Sequence, residues 1–257
     1  MGLTIHYSLK AGGSDAQARK LVQTLHQSAH DLPFKQLGQV VELSGDQCDF
    51  NKVDRETPLH WLLIQAQGDV KLSLNCSASV SPSHIIAFTA WPGEGCEESN
   101  FGLCKYPVVI KTSEGPRKTK LSGWCWHSFC KTQYASNSDC GGIPNFLQCH
   151  LTVIALLDKA KELGCLEEVH DEGHFWEKRN IKALVKEIGS WNEMIAAFGG
   201  ALKDLTGDGP FEVESAIARY PDFERLEAAG QNKIPPGFKK IAKLIGRLGQ
   251  KIVQEKN

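Results

Sequence analysis

The stretch LTIHYSLKAGGSDAQARKLVQTLHQSAH (residues 3–30) decides the fold. Leu3, Ile5, Tyr7 and Leu9 alternate with Thr4, His6 and Ser8, the two-residue period of a strand with one buried face. Ala11-Gly12-Gly13 then turns the chain. Ser14 followed by Gln17 is a capping box, in which each side chain satisfies a backbone amide of the other's turn. Behind it Ala18, Leu21, Val22, Leu25 and Ala29 share one helical face, so a helix is expected up to His30, short of Pro33. A second strand over residues 39–43, closed by Ser44-Gly45, completes a strand–helix–strand unit.

Moving outward, residues 61–65 and 70–76 read as strands around a turn at Gly68-Asp69. Residues 85–91 read as the most buried strand of the N-terminal half and run into Pro92-Gly93-Glu94-Gly95. Residues 100–107 and 108–111 are expected to pair across a bend, with 114–118 as a surface turn; residues 121–134 fit neither period. Asn145 is expected to cap a helix carrying Phe146, Leu147, Val153, Leu156, Leu157 and Ala160 on its apolar side, stopped by Gly164. A strand over 166–170 follows, then a helix capped by Asn180 and ended by Thr206-Gly207, with short helices over 212–218 and 221–229. The string specifies an α+β fold: a mixed or antiparallel sheet with helices on one face, plus C-terminal helices. Its two strand–helix–strand units suggest a ferredoxin-like core with a large insertion between residues 45 and 120. Residues 1–206 form the expected α+β domain, and residues 207–257 a helical C-terminal extension packed on it.

Composition supports a globular chain: of 257 residues, 41% are hydrophobic and 23% charged, and the net charge is -1. Collagen-like and disordered chains are excluded, and no basic body announces nucleic acid, which is not an expected partner. The balance hides an asymmetry. Residues 231–257 hold seven Lys or Arg against Glu255 alone, leaving the rest of the chain acidic. Phe238, Ile241, Leu244, Ile245, Leu248 and Ile252 would line one face of that basic helix. Its apolar face is expected to lie on the acidic body, and membrane contact would be at most peripheral, through residues 238–252. The opening MGLTIHYSLKAGG has neither a basic leader nor an apolar core before a cleavage site, so a cytoplasmic protein is expected.

Nine cysteines stand out, six of them between residues 96 and 149. No two of the six lie two to four residues apart, which removes the spacing of structural zinc and of C-x-x-C redox motifs. A cysteine nucleophile needs a base and an oxyanion donor. Cys130 in HSFCKTQY (127–134) has His127 and His150 as rival bases, and Asp171 or Glu172 as the carboxylate. Against this, cysteine is among the most buried residue types, and Cys130 sits among Trp124, Trp126 and Phe129.

The turn LEEVHDEGHFWEKR (166–179) offers the second chemistry. His170, Asp171 and His174 are the residue types that ligate a divalent metal, which would be the only cofactor expected. A solvated acidic turn explains the same residues without chemistry. Three function classes stay open. The first is a hydrolase-like enzyme whose pocket joins the 124–150 segment to the 170–179 turn. The second is a module binding a small molecule or peptide, and the third an interaction protein that works through its basic C-terminal helix. Oligomeric state is not legible.

Overall fold

The computed structural model describes residues 3–73, 76–112, 115–119, 121–206 and 223–230. The opening unit forms as its pattern demands: strand β1 (Thr4–Ala11), a turn, and helix α1 (Asp15–His30). Both halves of the Ser14–Gln17 capping box are made, and Ala18, Val22, Leu25 and Ala29 are buried. The expected second strand is split into β2 (Gln36–Leu37) and β3 (Val41–Ser44).

Residues 61–65 are helical, not extended: they belong to α2 (Pro58–Gln65). Thr57 caps this helix by accepting from the His60 amide, and Pro58 occupies the first turn, where no amide is missed. Gly68-Asp69 is not a turn but the start of β4 (Gly68–Ser73), which pairs with β5 (Cys76–Val80). Strand β6 (His84–Trp91) pairs with β7 (Ser99–Lys105). The expected pairing of 100–107 with 108–111 gives way to a separate hairpin, β8 (Val109–Thr112) with β9 (Gly115–Lys118). Strand β10 (Trp124–Lys131) is followed by tight turns, then α3 (Gly142–Glu162), β11 (Leu166–Asp171), a short α4 (Phe175–Lys178) and α5 (Ile181–Thr206). Helix α3 starts before Asn145, which lies in its first turn, and the chain leaves it through Gly164 at φ 73°. Asn180 caps α5 through the Ala183 amide.

The main sheet runs β11–β1–β10–β7–β6, with β2 and β3 both pairing with β6, and every pairing is antiparallel. Strands β10 and β11 therefore run parallel on either side of β1 and are joined by α3. Strands β1 and β7 likewise flank β10. This is the expected α+β architecture, with two split β-α-β units in ferredoxin-like order. The segment expected as an insertion contributes β6 and β7 to the sheet itself, so only the pieces around them are additions.

Pleating sorts the sheet into two faces. Ile5, Tyr7 and Leu9 of β1 pair across with Cys130, Ser128 and Trp126 of β10, all buried. Ile5, Tyr7, Leu9, Trp126 and Cys130 share one core with Val22 and Leu25 of α1 and with Val153 and Leu157 of α3. His6 pairs with Phe129 and Ser8 with His127 on the opposite face, where His6, His127 and Phe129 are exposed. A smaller core seats α5: Leu184 and Ile188 meet Leu3, Phe146 and Cys149. Helix α6 (Phe223–Gly230) packs closely on α5; a side-chain carbon at Gly230 would collide with the Glu193 carbonyl. The rest of the expected extension, including the basic helix over 238–252, lies outside the described residues. Among the described residues no helix is long and apolar enough to cross a membrane.

Candidate functional site

Residues 170 and 171 are neighbours at the end of β11, and the pleat sends their side chains to opposite faces. Asp171 lies in register with Ile5 on the helix-covered face; His170 lies in register with His6 on the open one. Each face gathers its own set of polar groups.

On the covered face, α3 delivers His150 to Asp171, with Nε2 3.3 Å from Oδ2. A carboxylate only accepts, so Nε2 carries the hydrogen. His150 Nδ1 faces Thr132 Oγ1 at 2.9 Å, and Thr132, His150 and Asp171 all have no exposed surface. Asp171 accepts three backbone amides as well: Gly173 on Oδ1 at 2.8 Å, and Phe175 and Trp176 on Oδ2 at 2.8 and 2.9 Å. Burial alone would raise the Asp171 pKa. The His150 hydrogen bond and the amides outweigh it and hold the carboxyl below its ordinary value.

The expected Cys130–His150–Asp171 set is thus brought together only in part. Cys130 is fully buried and its thiol donates to the Glu97 carbonyl at 3.3 Å. Burial, with Glu97 and Cys149 nearby, pushes the thiol pKa well above its ordinary value, the reverse of an activated nucleophile. Thr132, two residues on and just past the strand end, faces the imidazole instead. His127 is on the other side of the sheet. Glu172 holds β1, accepting from the Thr4 amide at 2.8 Å while its own amide donates to the Thr4 carbonyl.

The metal set is not assembled either. His170 and Asp171 diverge with the pleat, and His174 is exposed in a left-handed turn with φ 55°. Asp171 is buried and already takes four donors, three of them on Oδ2. Among the described residues, no group of three or more His, Cys, Asp or Glu is placed to hold a metal ion.

On the open face, two rows of side chains cross β10, β1 and β11: Phe129–His6–His170, and beside it His127–Ser8–Glu168. The His6 ring centroid is 6.0 Å from that of Phe129 and 6.1 Å from that of His170. Together with Tyr7, Gln65 and Ser128 they line a cavity of about 390 Å³. Behind this face, on the covered side, the strands that carry it are held by polar contacts. Gln65 Oε1 accepts from Ser128 Oγ at 2.7 Å and from Asn100 Nδ2 at 2.9 Å. Tyr7 Oη and Trp126 Nε1 both donate to the Asn100 carbonyl, at 2.7 and 2.8 Å. The imidazoles of His6, His127 and His170 are left facing the cavity.

Sequence reasoning named His127 and His170 but missed His6, Ser8, Phe129, Glu168 and Gln65 around them. The signal was the polar half of the β1 alternation, matched by His-Ser-Phe in β10 and by Glu168 and His170 in β11. No family model matches the chain, and no curated protein or solved structure matches it either.

Proposed function

We propose that the chain is a binding module whose ligand lies across the open face of the sheet, against His6, His127, Phe129 and His170. The observation that carries this reading is the convergence of three imidazoles and a part-exposed Phe129 ring on one cavity of about 390 Å³. That volume falls within the range of small-molecule sites. An exposed ring offers a flat apolar contact, and imidazoles supply hydrogen bonds and, once protonated, positive charge. The ligand class that suits them is a small aromatic acid, with Glu168 and Gln65 setting orientation. Screening small aromatic acids by ligand-observed NMR tests this. Binding should appear with the intact protein and weaken strongly in Phe129→Ala. Binding that ignores this substitution, or none at all, would remove the proposal.

A hydrolytic reading is supported by a different observation, the Thr132–His150–Asp171 line, whose order is that of hydroxyl, base and carboxylate. It stands second because all three side chains lack exposed surface, so a substrate has no contact with them in this conformation. Turnover of an activated ester that disappears in both Thr132→Val and His150→Gln would promote it.

A further inference from the structure

The Pro92-Gly93-Glu94-Gly95 loop was conspicuous in the sequence and plays no part in the cavity. It carries Cys96 against the first half of α3, where Cys149 lies. Three contacts hold it there. Asn145 Nδ2 donates to the Glu94 carbonyl at 3.0 Å, Trp91 Nε1 donates to the Cys96 carbonyl at 3.2 Å, and the Cys96 amide closes a turn on the Gly93 carbonyl at 3.1 Å. The approach depends on glycine. A side-chain carbon at Gly93 would lie 2.9 Å from Cys149 Sγ, and one at Gly95 would lie 2.5 Å from the Tyr134 carbonyl oxygen. Cys96 and Cys149 share one apolar cluster with Phe146 and Ala135. Cys149 is buried and Cys96 half-buried, so Cys96 opens the pair to solvent.

We propose that Cys96 and Cys149 are a modification site: a pair of thiols that a small peroxide converts reversibly to a disulfide, fastening the 92–98 loop to α3. The two thiols are neighbours in that cluster, and the Cys149 thiol also reaches Asn145 Oδ1 at 3.7 Å. Cys96, helped by the charge of Lys35, holds the Cys149 pKa below the ordinary thiol value, while Cys149 and burial push Cys96 up. In the first step a thiolate of the pair attacks hydrogen peroxide. A sulfur–oxygen bond forms, the oxygen–oxygen bond breaks, and the leaving hydroxide takes a proton to become water. In the second, the other sulfur attacks the sulfenic acid. The sulfur–sulfur bond forms, the sulfur–oxygen bond breaks, and a second water leaves. Two thiols have been oxidised and one peroxide reduced. Among the described residues the other buried thiols, Cys48, Cys104, Cys125, Cys130 and Cys165, have pKa values raised by burial and are poorer thiolates.

The test treats the reduced full chain with hydrogen peroxide, blocks residual thiols by alkylation, and maps cross-linked peptides by mass spectrometry. The Cys96–Cys149 peptide should be the most abundant cysteine pair, disappear on treatment with dithiothreitol, and be absent from Cys96→Ser. Cys96 is half-buried, so that variant keeps the buried core intact. The proposal is overturned if Cys96 and Cys149 stay alkylatable after peroxide. It is equally overturned if another pair dominates.

Discussion

The two faces of the β1–β10–β11 sheet hold similar chemistry and arrange it in opposite ways. Behind the sheet, His150, Asp171 and Thr132 are sealed, and each polar atom of the set faces a partner. In front, His6, His127 and His170 stand around a cavity with their neighbours held and their own rings facing space. Residues 170 and 171 differ only in which way the pleat points them. The difference teaches that a histidine–carboxylate pair is not a site by composition. A closed set fixes the structure, since a buried polar group left unpaired is costly, whereas an open one has capacity left for a ligand.

The sharpest way to break this contrast is Asp171→Ala. It strands His150 Nε2 and the Gly173, Phe175 and Trp176 amides in the interior, and should cost about 3–5 kcal/mol in urea unfolding. A loss comparable to that of a surface substitution would mean the buried set is not structural. Thr132→Val should cost less, about 1–3 kcal/mol, because it leaves only the Nδ1 side of His150 without its partner. On the open face, His127→Ala and His6→Ala should each change stability by no more than about 0.5 kcal/mol.

The acid limb of the stability profile draws the same line. The folded Asp171 pKa lies below its ordinary value, so its contribution is fully present above the unfolded carboxyl pKa and is lost as pH falls through the folded one. Urea midpoints recorded from neutral pH downward should therefore fall on the acid side, and fall less steeply in Asp171→Asn. Parallel acid limbs would show that this carboxylate is not what acid attacks. Small as well should be the effect of Arg19→Ala at the exposed Arg19–Glu42 pair. The Arg19 guanidinium there, with His84, holds the Glu42 pKa at about 2, yet solvent screening limits the loss to about 0.2–1 kcal/mol.

The parts legible in the sequence are those with local, redundant signals. The β1–α1 unit carried an alternation, a glycine turn and a capping box, and forms as read. His150 and Asp171 could be placed together because one helix and one short strand bring the two ends of a continuous segment back to the same point. Helix α2 was misread because Trp61-Leu-Leu-Ile-Gln65 is a short apolar run without a clear period. Cys130 was named and Thr132 was not, because composition draws attention to thiols. The strand ends at Lys131, and only the turn beyond it aims a side chain at the imidazole. The cavity was hardest to read, since it is built across three strands far apart in sequence, and only their registers bring its residues together.

The central claim is that the open face binds and the covered face holds. Imidazole resonances recorded during a titration with small aromatic acids address it directly. The account predicts that the signals of His6, His127 and His170 move together with increasing ligand while that of His150 stays still. Movement of His150 with the other three unchanged would contradict it.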